Sequence, residues 1–421
     1  MSKLPSHPAD RSAEPSPVSD ILTKHIDPLD SSAIPARASI HVSSVQICKD
    51  TTHADQLLGK QISGYAYQRD GHANETILAE RCRLLHQAEF AAITPNGMSA
   101  LALALLATVE PGQRVLVSNQ LYGRTKTLFG KEAARFGISA EYFDVFDLNS
   151  LRPTMFSDIA EKPVRLIVVE TISNPLMRVA DLRRLSEIAT EFGADLLVDN
   201  TFASPLVCRP LELGATWVME SLTKVLNGHS DVTLGVLCSR KYGADRVDQI
   251  QRTWGFVAAP FECWLADRGL GTARLRIVQS SRSAQYIANF LQAHSAVKQV
   301  NYPGLVETSD HALARQQFLC DGEQVTGEPS PLFGHMLSFE LDSREHVDAF
   351  IHGSGLLFCP SLGDLGTTIS HPATTSHRGL KLAERTAQGI TDGLVRISIG
   401  IEPLDELFVR FRRGLESSAK I

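Results

Sequence analysis

The sequence predicts an α/β protein: a mostly parallel sheet covered by helices, followed by a smaller α+β domain. Three observations lead there. Between Phe90 and Asp199 short apolar runs alternate with helix-patterned segments, the order that βαβ units produce. After about residue 265 this alternation stops, and helical stretches flank isolated apolar runs. At 421 residues, with 43% hydrophobic and 21% charged side chains, the chain has the length of two or three domains and an ordinary globular composition.

Residues 1 to about 35, with Pro5, Pro15, Pro17, Pro28 and Pro35 among Ser and Asp, read as a flexible arm. Asn74 to Glu89 places Ile77, Leu78, Cys82, Leu84 and Leu85 at helical spacing, with Asn74 as N-cap. Phe90 to Thr94 is an apolar run, and Pro95-Asn-Gly97 turns the chain into a helix from Met98 to Val109 that Pro111-Gly112 stops. A strand at Arg114 to Ser118, a helix from about Arg124 to Phe136 and a run at Ala140 to Phe143 come next. Strand Val164 to Glu170, helix Asp181 to Phe192 and strand Asp195 to Asp199 continue the pattern. Thr216 to Met219 and Val232 to Leu237 read as two further strands. Helical stretches at Leu270 to Ala293, Arg344 to Ile351 and Pro403 to Ser417 then surround runs at His335 to Leu341 and Leu394 to Ile401. The expected organisation is an arm over 1–62, a large domain over 63–265 and a C-terminal domain over 266–421.

Composition narrows the function. A net charge of -6 gives no general attraction to nucleic acid or anionic membrane. No apolar run approaches the roughly 20 residues that span a bilayer, and the first residues carry no apolar signal core. The seven cysteines are scattered and never spaced C-x-x-C, which fits reduced thiols in the cytoplasm rather than a disulfide framework or zinc site. The fourteen histidines include no H-E-x-x-H pattern, and no metal is expected.

Ligands of parallel sheets bind beyond the carboxyl ends of the strands, and Glu170, Asp199 and Lys224 all stand where strands end. Lys224 lies in Ser221-Leu-Thr-Lys-Val-Leu-Asn-Gly-His-Ser-Asp231, between two apolar runs. Burial there lowers the proton affinity of its amine, and a neutral amine can form a Schiff base with an aldehyde. Ser221 and Thr223 bracket it with hydroxyls that can bond a phosphate. Gly97 and Met98 open a helix, whose first N–H groups and dipole suit the same anion. Asp199 can keep a pyridine nitrogen protonated. Each has a plainer reading: a lysine with its head in water, a helix start without a ligand, a turn aspartate, and at Tyr122 a core tyrosine.

Together these stretches resemble the cysteine/methionine-metabolism (trans-sulfuration) family of pyridoxal-phosphate (PLP) enzymes, which includes cystathionine synthases and lyases, methionine γ-lyase and the O-acylhomoserine sulfhydrylases. The matching residues are Ser221, Thr223, Lys224, Asn227, Gly228, His229 and Asp231, then Val198-Asp-Asn-Thr-Phe202, Thr94 to Ala100, Leu121-Tyr-Gly123, Glu170 to Pro175, Ser361-Leu-Gly363 and Gly393 to Glu402. The resemblance runs from about Ser63 to Gly414. It implies the aminotransferase-like fold type I, with a mostly parallel seven-stranded sheet, helices on both faces and PLP bound in the large domain.

The resemblance also assigns roles. Lys224 would carry PLP and act as base, Tyr122 would stack on the ring and transfer protons, and Asp199 would face the ring nitrogen with Thr201 beside it. Asn174 would contact the ring hydroxyl and the substrate, while Gly97, Met98, Ser221 and Thr223 would surround the phosphate. Arg396 and Ser361 would take the substrate α-carboxylate, for which the bidentate guanidinium is suited. Tyr67 and Arg69 sit in Tyr65 to Asn74, which matches only partly. They would reach the phosphate of a neighbouring subunit, so the expected assembly is a dimer of shared sites, forming a homotetramer.

For the reaction, Gly363 to His377 is most similar to the O-acylhomoserine sulfhydrylases, and Gly366 replaces a Glu usual in cystathionine γ-lyases. Arg124, with Lys126, offers a cation to the acid end of a leaving group or simply faces solvent. The expected activity is γ-replacement on O-succinyl-, O-acetyl- or O-phosphohomoserine with a thiol or sulfide. A cystathionine or methionine C–S lyase, a γ-replacing enzyme with an unusual nucleophile, and a PLP-binding protein without turnover are the alternatives.

Overall fold

The computed structural model describes residues 36–149, 151, 162–240, 244–320 and 331–421. The arm expected over 1 to about 35 therefore lies outside the described residues. The elements run α1 (Thr51–Leu58), α2 (Ala73–Leu85), β1 (Phe90–Thr94), α3 (Gly97–Thr108), β2 (Arg114–Ser118), α4 (Gly123–Thr127), β3 (Ser139–Phe143), β4 (Val164–Glu170), α5 (Leu182–Glu191), β5 (Asp195–Asp199), β6 (Trp217–Ser221) and β7 (Gly235–Ser239). They continue with α6 (Ala244–Trp254), α7 (Pro260–Leu270), α8 (Ala273–Gln292), β8 (Gln299–Asn301), α9 (His311–Gln317), β9 (Met336–Glu340), α10 (Arg344–Ser354), β10 (Leu357–Phe358), β11 (Thr368–Ser370), α11 (Leu382–Ala387), β12 (Leu394–Ser398) and α12 (Leu404–Ser418).

The large sheet has seven strands in the order β1-β7-β6-β5-β4-β2-β3. The run from β6 to β3 is parallel, whereas β7 is antiparallel to both its neighbours. Its central strands are apolar on both faces because both are covered. Leu166 and Val168 of β4 pack with α3, while Ile167 and Val169 join the core on the opposite side. The second sheet, β10-β11-β12-β9-β8, is smaller and mostly antiparallel. Helix α8 packs on β8 and β9, so the apolar core is continuous from one sheet to the other.

Four expectations need correction. The N-cap of α2 is His72, whose Nδ1 accepts from Glu75 N at 3.1 Å, because Asn74 is turned inward. Asn74 instead accepts from His41 N (2.8 Å) and donates to Ser39 O (2.7 Å), pinning the incoming chain. The second strand after Lys224 starts at Gly235 rather than Val232, since Leu234 N is taken by Thr223 Oγ1 (3.1 Å). The helix expected from Arg124 to Phe136 is α4 followed by a π turn and a 3-10 turn. The stretch from Leu270 to Ala293 is the end of α7 and all of α8, parted at Gly271 and Thr272. Apart from these four, residues 265 and 266, where the two domains are expected to meet, both belong to α7.

Candidate active site

The strand ends of β4, β5 and β6, the start of α3 and the loops around β11 and β12 enclose one cavity of about 280 Å³. Gly97, Met98, Tyr122, Asn174, Asp199, Thr201, Ser221, Thr223, Lys224 and Arg396 all line it. Residues spread over three hundred positions thus meet at one sheet edge.

Its floor is acidic. Glu170 and Asp199 are register partners at the ends of β4 and β5. Burial raises the proton affinity of Glu170, and Asp199 beside it raises it further. Burial also raises that of Asp199, against the hydroxyl and N–H of Thr201, the latter bonded to Oδ1 at 3.0 Å. Glu170 organises its neighbours as well: Oε1 accepts from Tyr122 N (2.7 Å) and Oε2 from Asn174 N (3.1 Å). One carboxylate thereby fixes the loops that present Tyr122 and Asn174.

The cationic groups come from the other side. Lys224 Nζ donates to Ser361 Oγ at 2.9 Å, and its proton affinity is lowered first by burial and then by Arg396. Arg396 on β12 is 3% exposed, donates from Nη1 to Asn174 Oδ1 (2.9 Å), and is lowered by burial to about 10, so it stays charged at neutral pH. Gly363, at φ +82°, brings the Ser361 loop onto the lysine turn, where a Cβ would stand 2.9 Å from the Lys224 carbonyl carbon.

At the third side α3 begins. Asn96 caps it by accepting from Ser99 N at 2.9 Å, and Gly97 lies so close to Ser221 that a Cβ would be 3.2 Å from that residue's own Cβ. Thr201 Oγ1 accepts from Ser221 N (3.0 Å), which ties β5 to β6 at this point.

The remaining expected residues lie apart. Tyr67 is 43% exposed and stacks under its own chain's Arg69 guanidinium, 5.0 Å from the ring centroid. Neither lines the cavity, and Arg124 is exposed on α4 outside the lining. Ser361 touches the cavity through its bond to Lys224. The sequence placed Glu170 at this sheet edge without giving it a role, and did not single out Thr125, Phe202 or Ser376, which also line the cavity. For Glu170 the signal was present: like Asp199, it is an acid closing an apolar strand.

These residues suit PLP. Two carboxylates pressed together in a buried floor call for a cationic partner, which a protonated pyridine nitrogen provides. A lysine of lowered proton affinity suits an aldehyde, and a glycine-cradled helix start beside Ser221 and Thr223 suits a phosphate.

Fold and site together define a PLP-dependent enzyme of fold type I. The crystal structure of cystathionine γ-synthase from Xanthomonas oryzae pv. oryzae in complex with cystathionine has the same fold, with a TM-score of 0.86 and 33% identity over 97% of this chain and 100% of that one. Cystathionine β-lyase MetC of Bacillus subtilis is 35% identical over 365 residues, 86% of this chain and 89% of the relative. O-succinylhomoserine sulfhydrylase of Pseudomonas aeruginosa is 35% identical over 380 residues, 90% of each. The profile of the Cys/Met metabolism PLP-dependent enzymes matches residues 29–416, and the chain belongs to that family. It is therefore a PLP-dependent enzyme related to lyases and transferases of trans-sulfuration. Among the described residues no helix is long and apolar enough to cross a membrane.

Proposed function

We propose that the chain catalyses γ-replacement on an activated homoserine, with a thiol or sulfide as nucleophile. The observation that carries this reading is the charge around the far side of the cavity. From the loop between Pro360 and His377, the lining side chains are Pro360, Leu362 and Ser376, none of them acidic. Gly366 stands beside Glu402, whose carboxylate is held by Thr367 N (2.5 Å) and Thr367 Oγ1 (2.9 Å). Lys126, partly buried, stands outside the lining: its Nζ donates to Gln388 Oε1 (3.2 Å) and it feels the carboxylates of Glu170 and Glu384. A wall to which this loop contributes no carboxylate does not repel the acid end of a succinyl or phosphoryl leaving group, or a thiolate after it.

Bound PLP supplies the electron sink that loosens the bonds at Cα. Arg396 would hold the substrate α-carboxylate, Asp199 would keep a proton on the ring nitrogen, and Tyr122 would lie against the ring. Lys224 takes and returns protons at Cα and Cβ, helped by its lowered proton affinity. The outward-facing Tyr67 and Arg69 support a site completed between two subunits, in a dimer or in a tetramer made of two such dimers.

A second reading, C–S bond cleavage, is favoured by the likeness to cystathionine β-lyase. Mass spectrometry of products separates the two. The enzyme with PLP is given O-acetyl-, O-succinyl- or O-phosphohomoserine, each with sulfide, with cysteine or with neither, and in separate runs cystathionine or methionine alone, whose breakdown to an oxo acid reports C–S cleavage. Homocysteine or cystathionine forming faster than 2-oxobutanoate supports replacement. Oxobutanoate at the same rate whatever nucleophile is present refutes it. Lys224→Ala should abolish both.

A further inference from the structure

Behind the lysine turn sits a buried cation with no ionic partner. Arg276, in the first turn of α8 and 5% exposed, donates from Nη1 to Val225 O (2.5 Å) and from Nη2 to Leu226 O (2.7 Å) and Gly269 O (2.9 Å). Its Nε donates to Thr272 Oγ1 at 3.2 Å. Every acceptor is neutral, and no carboxylate pairs with it among the described residues. Burial lowers its proton affinity to about 10, so it remains charged at neutral pH. Burying a cation against neutral oxygens alone is costly, and the position of its acceptors shows what the charge holds.

Val225 and Leu226 are the two residues that follow Lys224. Residues 222–227 form an irregular turn between β6 and β7, and the Val225 and Leu226 carbonyls accept no backbone N–H there. Buried carbonyls need a donor, and Arg276 supplies it to both with the fixed geometry of one guanidinium. Gly228, at φ +73°, leaves no room for a Cβ because the guanidinium occupies that space. On the opposite side Gly363 presses the Ser361 loop against the backbone of Lys224 and Val225. The lysine backbone is therefore gripped between two bodies. One is α8, which packs on the sheet that carries Arg396.

We infer that Arg276 is a positioning residue: it fixes the Lys224 turn relative to the α8 body, and so sets where Nζ stands with respect to Arg396. It touches neither substrate nor cofactor. The inference rests on Lys224 as the lysine that PLP bonds, and the experiment keeps the two apart.

Arg276→Lys keeps the charge and loses the fork. The expected variant binds PLP, and its kcat falls about 10- to 100-fold, the scale of a misplacement near 1 Å. KM for the amino-acid substrate stays within about threefold because Arg396 is untouched. Two further readouts do not depend on turnover: the pH midpoint of the bound cofactor's absorbance moves, and the apoprotein recaptures PLP more slowly in stopped flow. Wild-type kcat, midpoint and recapture rate overturn the inference, even if the melting temperature has fallen, because that is what a merely structural arginine would give. Lys224→Ala runs alongside. If it bonds PLP and turns over like the parent, the lysine assignment has failed and the inference with it. If Arg276→Lys does not fold, Thr272→Val removes the Nε acceptor and the hydroxyl's own bond to Gly269 O (3.3 Å), and leaves the guanidinium on the Val225, Leu226 and Gly269 carbonyls. A smaller change of the same sign in midpoint and recapture supports the role of Arg276, and parental values for both overturn it.

Discussion

His335 makes the stability of this protein sensitive to acid in a way that can be calculated. The residue precedes β9, is 1% exposed, and its Nε2 has no hydrogen-bond partner. Burial, and then the positive charge of Arg276, lowers its proton affinity to about 3. In the unfolded chain a histidine titrates near 6.5. Above that pH neither state is protonated and His335 has no effect. As pH falls below it, the unfolded state gains a proton that the native state refuses, and stability is lost at ~1.4 kcal/mol per pH unit. At pH 5, roughly 1.5 units down, the loss is ~2 kcal/mol. The assay is urea denaturation of the parent and of His335→Leu at pH 8 and pH 5. The constant cost of changing the side chain cancels in the comparison, and other titrating groups contribute equally to both proteins. The variant should lose ~2 kcal/mol less than the parent on going to pH 5. Equal losses in the two proteins would refute the reasoning, since His335 would then be protonated as readily inside as outside.

Other substitutions probe the site and its supports. Gly363→Ala forces a side chain into a left-handed conformation, ~1–2 kcal/mol, and against the Lys224 backbone, ~1–3 kcal/mol more. It should lower both the denaturation midpoint and kcat while PLP still binds, as absorbance would show. Arg396→Lys replaces a forked donor by a point charge and loses ~1.5–3 kcal/mol of carboxylate binding. Steady-state kinetics should show this as a rise in KM of about 10- to 150-fold with kcat less affected. Asn74→Ala removes both bonds to residues 39–41, worth ~1–3 kcal/mol together. Limited proteolysis should then cut the segment before α1 faster, with the kinetic constants little changed.

The sheet and most of its helices were legible because their patterning is strong. Val164 to Glu170 and Asp195 to Asp199 are continuous apolar runs that only a doubly covered strand accommodates. Helices α6 and α7 were not read, since α6 carries charged residues over much of its length and α7 begins at a proline whose role as first helical residue needs the preceding turn to be known. The antiparallel setting of β7 was equally hidden: nothing in Gly235 to Ser239 says which strands it will lie between. At the site, Lys224, Asp199 and Arg396 stood out by motif, whereas Ser376 and Phe202 reach the cavity only through tertiary packing. Arg276 belongs with them, because the carbonyls it serves lie about fifty positions earlier in the chain.

The placement of β7 also imposes an order of assembly. Strand β1, which leads into the helix start at Gly97, has β7 as its neighbour in the sheet, and the two meet through Phe90 and Ser239. During synthesis the anion-binding end of the site must therefore wait until the chain has been made to about residue 239. Asp199, Ser221, Thr223 and Lys224 have by then already been made, so the sheet's residues that line the cavity can come together in one step. Arg396, the proposed partner of the substrate carboxylate, comes later with the second sheet. The large sheet is therefore complete in the chain up to β7, whereas the side chain that faces Asn174 from the second sheet is supplied more than 150 residues later.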